Sequence, residues 1–481
     1  MPAHVPPVQA ARPVHTVFTL SPQSSTPLVV QIVDGFRRLI EEQSLRPGAK
    51  VPSVRQFAQS HQVSVFTVVE AYDRLVAQGL LVSRPNQGFF VKRRPRIDAS
   101  ADAAPEVQSG FDTMWYLRKI FENRHLEMKP GCGWLPDDWL FEDGVRRALR
   151  QLSAEHAALG GYGSPKGYGE LRRLIVEHLT EQEIAVNVDQ VLLTQGSSQA
   201  LDLAARRLVR AGDPVLVDEP GYANLMFMLR FLGAKLIPAP RTPMGYDLAA
   251  LEAAIVEHKP KVFFTQPRLQ SPIGASAHLS HLHRVLQLAE KHDITIVEND
   301  IYADLDPDPR PSLASLDQIN RVVYINSYSK TISPNIRVGY VLANPELVEE
   351  LAQLKMLSGL TSPELGERLV YGALTEGRWR RHLKSIRDRL ASAQQTVAQR
   401  LVDAGFELFC ESKAGMYLWA RHPDFADSAE LSIRASEAGI MLGPGHLFLA
   451  DMRPTDWLRF NVAFCLDERV FAFLEAQRRA A

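Results

Sequence analysis

The sequence predicts an α/β protein in which a small winged helix-turn-helix unit precedes a large doubly wound domain with a mostly parallel sheet and a smaller C-terminal α+β lobe. Three observations carry this expectation. Residues 27–92 hold three amphipathic stretches and a hairpin pattern. From about residue 113 onward, helical stretches alternate with short β-branched runs that lack polar alternation, as in parallel strands buried on both faces. Charge is divided as well: residues 27–96 carry eleven Lys or Arg against five Asp or Glu, a +6 segment in a chain of net charge −1. A small basic unit on a larger acidic body suits a polyanionic partner.

Val30, Ile32, Val33, Phe36, Leu39 and Ile40 recur at near-helical spacing, and Arg46-Pro47-Gly48 stops that helix. Ser53 can N-cap a second helix, and Ser64 a third that Gly79 ends. The runs LLVSR and GFFVKR flank Pro85-Asn86-Gln87-Gly88, a β-hairpin signal. Residues 1–26 read as a flexible, Pro-rich, cytoplasmic N-terminus, and residues 93–112, small and polar, as a linker.

In the second unit, VLLT (191–194), PVLV (214–217), KVFFT (261–265), ITIVE (294–298) and VVYIN (322–326) are the strand candidates. SQALDLAARRLVRA and LHRVLQLAEKH are helices between them, and residues from about 380 to 481 form the smaller lobe. The chain has 481 residues, long enough for two to four domains. It has no run of eighteen apolar residues, so no membrane span is expected. Cys132, Cys410 and Cys465 are too scattered for a metal site or a disulfide framework, which fits a reducing compartment.

A helix-turn-helix sets its second helix in the major groove, so Ser64, Val65, Phe66 and Thr67 would face bases or phosphates. Ser64 and Thr67 suit phosphate oxygens, and Arg55 a phosphate or a guanine. Lys50, Ser53 and Arg84 complete the DNA-facing set, with Gly88 letting the wing tip approach closely. Over its full length this unit resembles the GntR-type winged helix. The resemblance rests on Pro47-Gly48, Pro52-Ser53-x-Arg55, Val63-Ser64, Thr67-Val68, Ala71-Tyr72, Leu75 and Gly79. Many members carry Arg where this chain has Val65. That removes a guanine contact, and Val65 or Phe66 could meet thymine methyls instead.

Lys330, in Ser327-Tyr328-Ser329-Lys330 after VVYIN, can point into a cleft and, when neutral, form a Schiff base with an aldehyde. Arg337 can return to the same cleft and clamp a phosphate. Gly196-Ser197-Ser198-Gln199 opens a helix, a place where small residues and hydroxyls cradle phosphate. Tyr222 suits stacking on a ring, an acid in Glu298-Asn299-Asp300 could face a pyridine nitrogen, and Tyr302 could bond a phenolic oxygen. All lie past the carboxyl ends of predicted parallel strands, where such sheets bind ligands.

In this order the set resembles the fold-type I, aspartate-aminotransferase-like enzymes that use pyridoxal 5'-phosphate (PLP), over residues 113 to 481. The resemblance implies Lys330 as the Schiff-base lysine, with Ser197, Ser198, Ser327 and Arg337 on the phosphate. It implies Tyr222 on the ring, Tyr302 on its phenolic oxygen, Tyr162 reaching a partner subunit's cofactor, and Arg459 binding a substrate or effector carboxylate. This chain departs from the family twice. Ser271 stands in Gln270-Ser271-Pro272-Ile273-Gly274 where Asn is usual; it could still reach the phenolic oxygen, without the amide donor. Asn299 stands where an acid usually pairs with the pyridine nitrogen. Either a local shift lets Asp300 serve, or the ring is a poorer electron sink; strand neighbours face opposite ways, which favours Asn299 toward the ring.

A GntR-type unit joined to such a domain resembles the MocR group of transcriptional regulators. The resemblance implies a cytoplasmic homodimer that binds operator DNA and senses PLP, or an amine or amino-acid effector, through an aldimine at Lys330. The alternatives are a working aminotransferase with a tethered DNA-binding unit, and a constitutive DNA-binding protein that holds PLP structurally.

Overall fold

The computed structural model describes residues 18–42, 44–92, 116, 118, 126–155, 160–308 and 310–480. The chain separates into two compact units, residues 1–108 and 109–481. The expected linker and most of the expected N-terminal segment lie outside the described residues.

The first unit is three helices and a hairpin: α1 (Leu28–Glu41), α2 (Val54–His61), α3 (Val65–Ala77), β1 (Leu81–Arg84) and β2 (Gly88–Val91). Ser53 caps α2 in a reciprocal box with Gln56, and the Ser64 hydroxyl caps α3 by accepting from the Thr67 amide. Gln62, left-handed at φ 53°, makes the tight turn between α2 and α3. The apolar stripes meet in an aromatic core: Phe36 lies 5.5 Å from Phe57 and 5.4 Å from Tyr72, all fully buried. The Tyr72 hydroxyl donates to the Pro52 carbonyl (2.9 Å), tying α3 to the entry of α2.

The second unit is built on an eight-stranded sheet: β3 (Val191–Thr194), β4 (Pro214–Glu219), β5 (Lys235–Thr242), β6 (Gly245–Tyr246), β7 (Val262–Thr265), β8 (Thr295–Asn299), β9 (Val322–Ser327) and β10 (Gly339–Leu342). Their order is β3-β10-β9-β8-β7-β4-β5-β6. β5, β4, β7, β8 and β9 run parallel, while β10 is antiparallel to β3 and β9. Alternate residues serve opposite faces: Leu193, Leu216, Phe263 and Ile296 pack in one core, and Leu192, Val215, Phe264 and Val297 in the other. The five strand candidates form strands close to their expected positions. β5, β6 and β10 have no counterpart among the strand candidates.

The smaller lobe has a long helix (Trp379–Asp403) over an antiparallel sheet ordered β11-β12-β14-β13, with β11 (Glu407–Leu408), β12 (Tyr417–Arg421), β13 (Gly443–Pro444) and β14 (Trp457–Asn461). Met128, Leu135 and Trp139 are buried in the core of this lobe, and Met128 bridges Ile440. The chain therefore enters the lobe before it builds the large sheet. Among the described residues, no helix is long and apolar enough to cross a membrane.

Candidate functional site

β10 sets up the site. The chain turns back between Lys330 and Val338, and β10 enters the sheet between β3 and β9, with Gly339 opposite both Thr194 and Ser327. That register carries Arg337, two residues before β10, to the start of the helix Gly196–Leu208 that follows β3. Arg337 Nη2 donates to the Gln195 carbonyl (3.1 Å) and Nη1 to Ser329 Oγ (3.4 Å). Gly196, at φ 76°, leaves the room: a Cβ there would lie 2.6 Å from Arg337 Nη2. The guanidinium thus lies against a helix N-terminus beside Ser197 and Ser198, an arrangement that suits a phosphate dianion.

These residues line a cleft of about 570 Å³ together with Tyr222, Tyr302, Ser327, Ser329, Lys330 and Arg459. Most follow the carboxyl ends of β3, β4, β8 and β9, the expected ligand edge of such a sheet. Ser327 Oγ donates to Ser329 Oγ (3.0 Å) and to the Val338 carbonyl (3.1 Å). Lys330 Nζ donates to the Gly133 carbonyl. Burial in the cleft pulls its ammonium from 10.5 down to about 8; Cys132 opposes the shift, and Arg459 and Arg337 add to it. A sizeable fraction is therefore the nucleophilic neutral amine near neutral pH.

Tyr302 OH and Tyr417 OH are 2.9 Å apart, and burial holds the Tyr302 phenol well above its ordinary value. Arg459 is buried between Tyr417 and Phe448, 4.8 and 4.7 Å from their ring centres. Its Nη1 donates to Ser271 Oγ (3.2 Å) and its Nη2 to the Gly131 carbonyl, while Nε has no partner. Ser271 therefore supports Arg459 here. Tyr162 is 85% exposed and does not line the cleft.

The two neighbours at the end of β8 face opposite ways. Asn299 is buried in a small hollow with Asp218, Tyr222 and Gln266, and its Oδ1 has no partner. Asp300, expected as a possible ring partner, is turned away: Arg268 Nε lies 3.1 Å from its carboxylate and the Tyr324 hydroxyl donates to it (3.2 Å). The correction follows from strand alternation, which sends successive side chains to opposite faces. Burial pushes the Asp300 carboxyl up, and Arg268 works against that shift.

Ser329, Tyr417, Tyr116 and Gly133 were not singled out as site residues from the sequence. Ser329 had a signal, lying within the motif that ends in Lys330. Tyr417 and Tyr116 come from distant segments with no local pattern.

On the first unit, the Ser53 and Ser64 hydroxyls accept from Gln56 N and Thr67 N, and Ser64 Oγ also bonds Thr67 Oγ1 (2.7 Å). Arg55 is exposed at the start of α2. Lys50 and Arg84 lie over the Phe90 ring at 5.9 and 4.5 Å, on the wing that Gly88 (φ 95°) helps to turn. Val65 and Phe66 project outward at 50% and 77% exposure.

Residues 137–476 match the aminotransferase class I and II family, and residues 28–91 match the bacterial regulatory proteins of the gntR family. The HTH-type transcriptional regulator YdcR of Escherichia coli is 27% identical over 91% of this chain and 96% of its own length. The probable rhizopine catabolism regulatory protein MocR of Rhizobium meliloti is 27% identical over 89% of this chain and 88% of its own. Among solved structures, the α-aminoadipate aminotransferase LysN of Thermus thermophilus, complexed with N-(5'-phosphopyridoxyl)-L-leucine, superimposes with a TM-score of 0.69. The two are 26% identical, over 78% of this chain and 95% of that one.

Proposed function

Because the chain belongs to the aminotransferase class I and II family and carries a gntR-type regulatory domain ahead of it, we propose that it is a homodimeric transcriptional regulator whose operator affinity depends on what is bound at Lys330. Pyridoxal phosphate is the cofactor of the large domain. The cleft fits it: a guanidinium, two serines and a helix N-terminus meet over a glycine that leaves no room for a Cβ, beside a lysine of depressed pKa.

Bound PLP supplies an aldehyde for amines to attack and an electron-withdrawing ring. Arg337, Ser197 and Ser198 would hold the phosphate, with Ser327 bonded to Ser329 and the Val338 carbonyl beside them. Tyr222 would cover the ring face, the hydrogen-bonded pair Tyr302 and Tyr417 would face its phenolic oxygen, and Lys330 would offer its neutral amine. Arg459 Nε, buried and without a hydrogen-bond partner, would take the carboxylate of an amino-acid effector. Tyr162, exposed on its loop, suits contact with a second copy of the chain. An effector that changes the charge and closure of the cleft shifts DNA affinity if it prefers one of two arrangements of the molecule.

The observation that carries the reading is the joining of this cleft to a DNA-reading unit in one chain. A working aminotransferase would keep Lys330 and Arg459, but it would also call for an acid at the ring nitrogen, where this chain carries Asn299. The test is binding of the full chain to its own upstream intergenic DNA, with and without pyridoxal phosphate, alongside Lys330→Ala. A PLP-dependent change in affinity that is lost in the variant supports the regulator. Equal affinity in every form would remove the sensor role, and absence of DNA binding would turn the assignment toward the enzyme.

A further inference from the structure

The exposed face of α3 is chemically unusual for a base-reading helix. Its first turns present Val65, Phe66 and Val69 to solvent at 50%, 77% and 39% exposure, while Val68, Ala71, Tyr72 and Leu75 fill the core. The hydroxyls that could have offered hydrogen bonds there are engaged with each other, through Ser64 Oγ and Thr67 Oγ1. The first cation on the outer face is Arg74, and Glu70 holds it (2.6 Å) one turn back. Guanine is read by a donor fork and adenine by an amide, and the start of α3 presents neither. An apolar cluster on an otherwise polar surface calls for an apolar partner.

We infer that α3 reads thymine, with Val65, Phe66 and Val69 packing on C5-methyl groups in the major groove. This deepens the DNA-binding reading above and rests on it. Duplex DNA is the occupant because of the charge around the face: Arg55 stands exposed on α2, and Lys50, Arg84 and Lys92 are exposed on or beside the wing. None of these four is in an ion pair among the described residues. They take the phosphates and fix register, which leaves the apolar side chains to the base edges. The thymine methyl is the apolar feature of the major-groove edge of the four standard bases. The same face would be indifferent to the minor groove, where A·T pairs show only acceptors.

The experiment removes the methyl and nothing else. Duplexes are selected from a randomised library by the full chain with pyridoxal phosphate bound. Each selected duplex is then remade with deoxyuridine in place of thymidine. Burying one methyl is worth about a fourfold change in affinity, so two or three contacts weaken binding by about 15- to 60-fold. Phe66→Ala should lower the ratio between the two duplexes by about fourfold, the share of its one methyl contact. Because Phe66 is largely exposed, an unchanged melting temperature will show that the fold is intact, and the salt dependence of binding set by the phosphate contacts should persist. Equal binding of thymidine and deoxyuridine duplexes overturns the inference while leaving the DNA-binding reading in place. A library from which nothing is enriched overturns both.

Discussion

Lys330 gives the most quantitative prediction. Its ammonium is drawn from 10.5 to about 8, chiefly by burial. At pH 7 an amine of the ordinary value is neutral in about one molecule in 3,000, and one at 8 in about one in eleven, a gain of roughly 300-fold in nucleophile. The sign follows directly: capture of an aldehyde should speed up about tenfold per pH unit below 8 and level off above it. Arg459 is one of the cations that depress the value, so Arg459→Gln should move the midpoint upward. The assay is rapid mixing of cofactor-free protein with pyridoxal phosphate from pH 6 to 10, followed by absorbance, with Lys330→Ala as the blank. A capture rate that keeps climbing tenfold per unit through pH 10 would refute the argument, because Lys330 would then be behaving as an amine in water.

Gly196→Ala places a Cβ 2.6 Å from Arg337 Nη2 on a left-handed backbone, so the guanidinium must move. Loss of one or two charge-assisted hydrogen bonds predicts about 10- to 100-fold weaker pyridoxal phosphate binding, read by equilibrium titration. Asn299→Asp should raise the fraction of ring nitrogen that carries a proton, visible as a change in the nitrogen NMR shift of ring-labelled cofactor. A wild-type signal already at the protonated position would contradict the role given to Asn299. Phe57→Ala empties a site that is fully buried against Phe36 and Tyr72, at a cost of about 3–5 kcal/mol. In a unit this small that should melt the winged helix first, abolishing DNA binding while pyridoxal phosphate capture survives in the same sample.

The winged helix was largely legible in the sequence because its signals are local. Ser53 and Ser64 announce helix starts, Gly79 an end, and Asn86 and Gly88 a turn, and each acts within a few residues. The five strand candidates, β3, β4, β7, β8 and β9, were legible because both of their faces are buried, so they read as unbroken apolar runs. β10 (Gly339–Leu342) was missed because it follows directly on the turn after Lys330 and opens on Gly339, which shortens its apolar run. Nothing local says that such a segment enters a parallel sheet in the opposite sense, yet that insertion is what carries Arg337 to Gly196. β5 was missed because it contains Pro238 and Pro240 and is buried only in part. In the site, the motif around Lys330 and the loop at Ser197 stood out because sequence neighbours do the work. Tyr417 reaches Tyr302 across 115 residues, and Gly133 reaches Lys330 across 197, and no spacing rule links such pairs.

The surroundings of Asn299 bear on why such a cleft would serve a regulator. Three buried carboxylates lie close by along the strands, and each is occupied elsewhere. Asp218 accepts from Thr265 Oγ1 (2.8 Å) and the Gln266 amide (2.8 Å) and sits 3.4 Å from Arg241. Glu298 accepts from the amides of Leu313 and Ala314, and Asp300 is held by Arg268 and Tyr324. None is free to keep a proton on a pyridine nitrogen, and under the proposed reading the residue at that position is the neutral amide of Asn299. Phosphate binding and attachment at Lys330 do not depend on that proton, whereas drawing electrons from a bound amine into the ring does. Such a cleft would hold an amine without hastening its conversion. A ligand shifts an equilibrium only by its difference in affinity for the two states, and only while it stays bound. Slow turnover is what a sensor requires and an aminotransferase cannot tolerate, and under the proposed function Asn299 would be the residue at which the two uses of the cleft part.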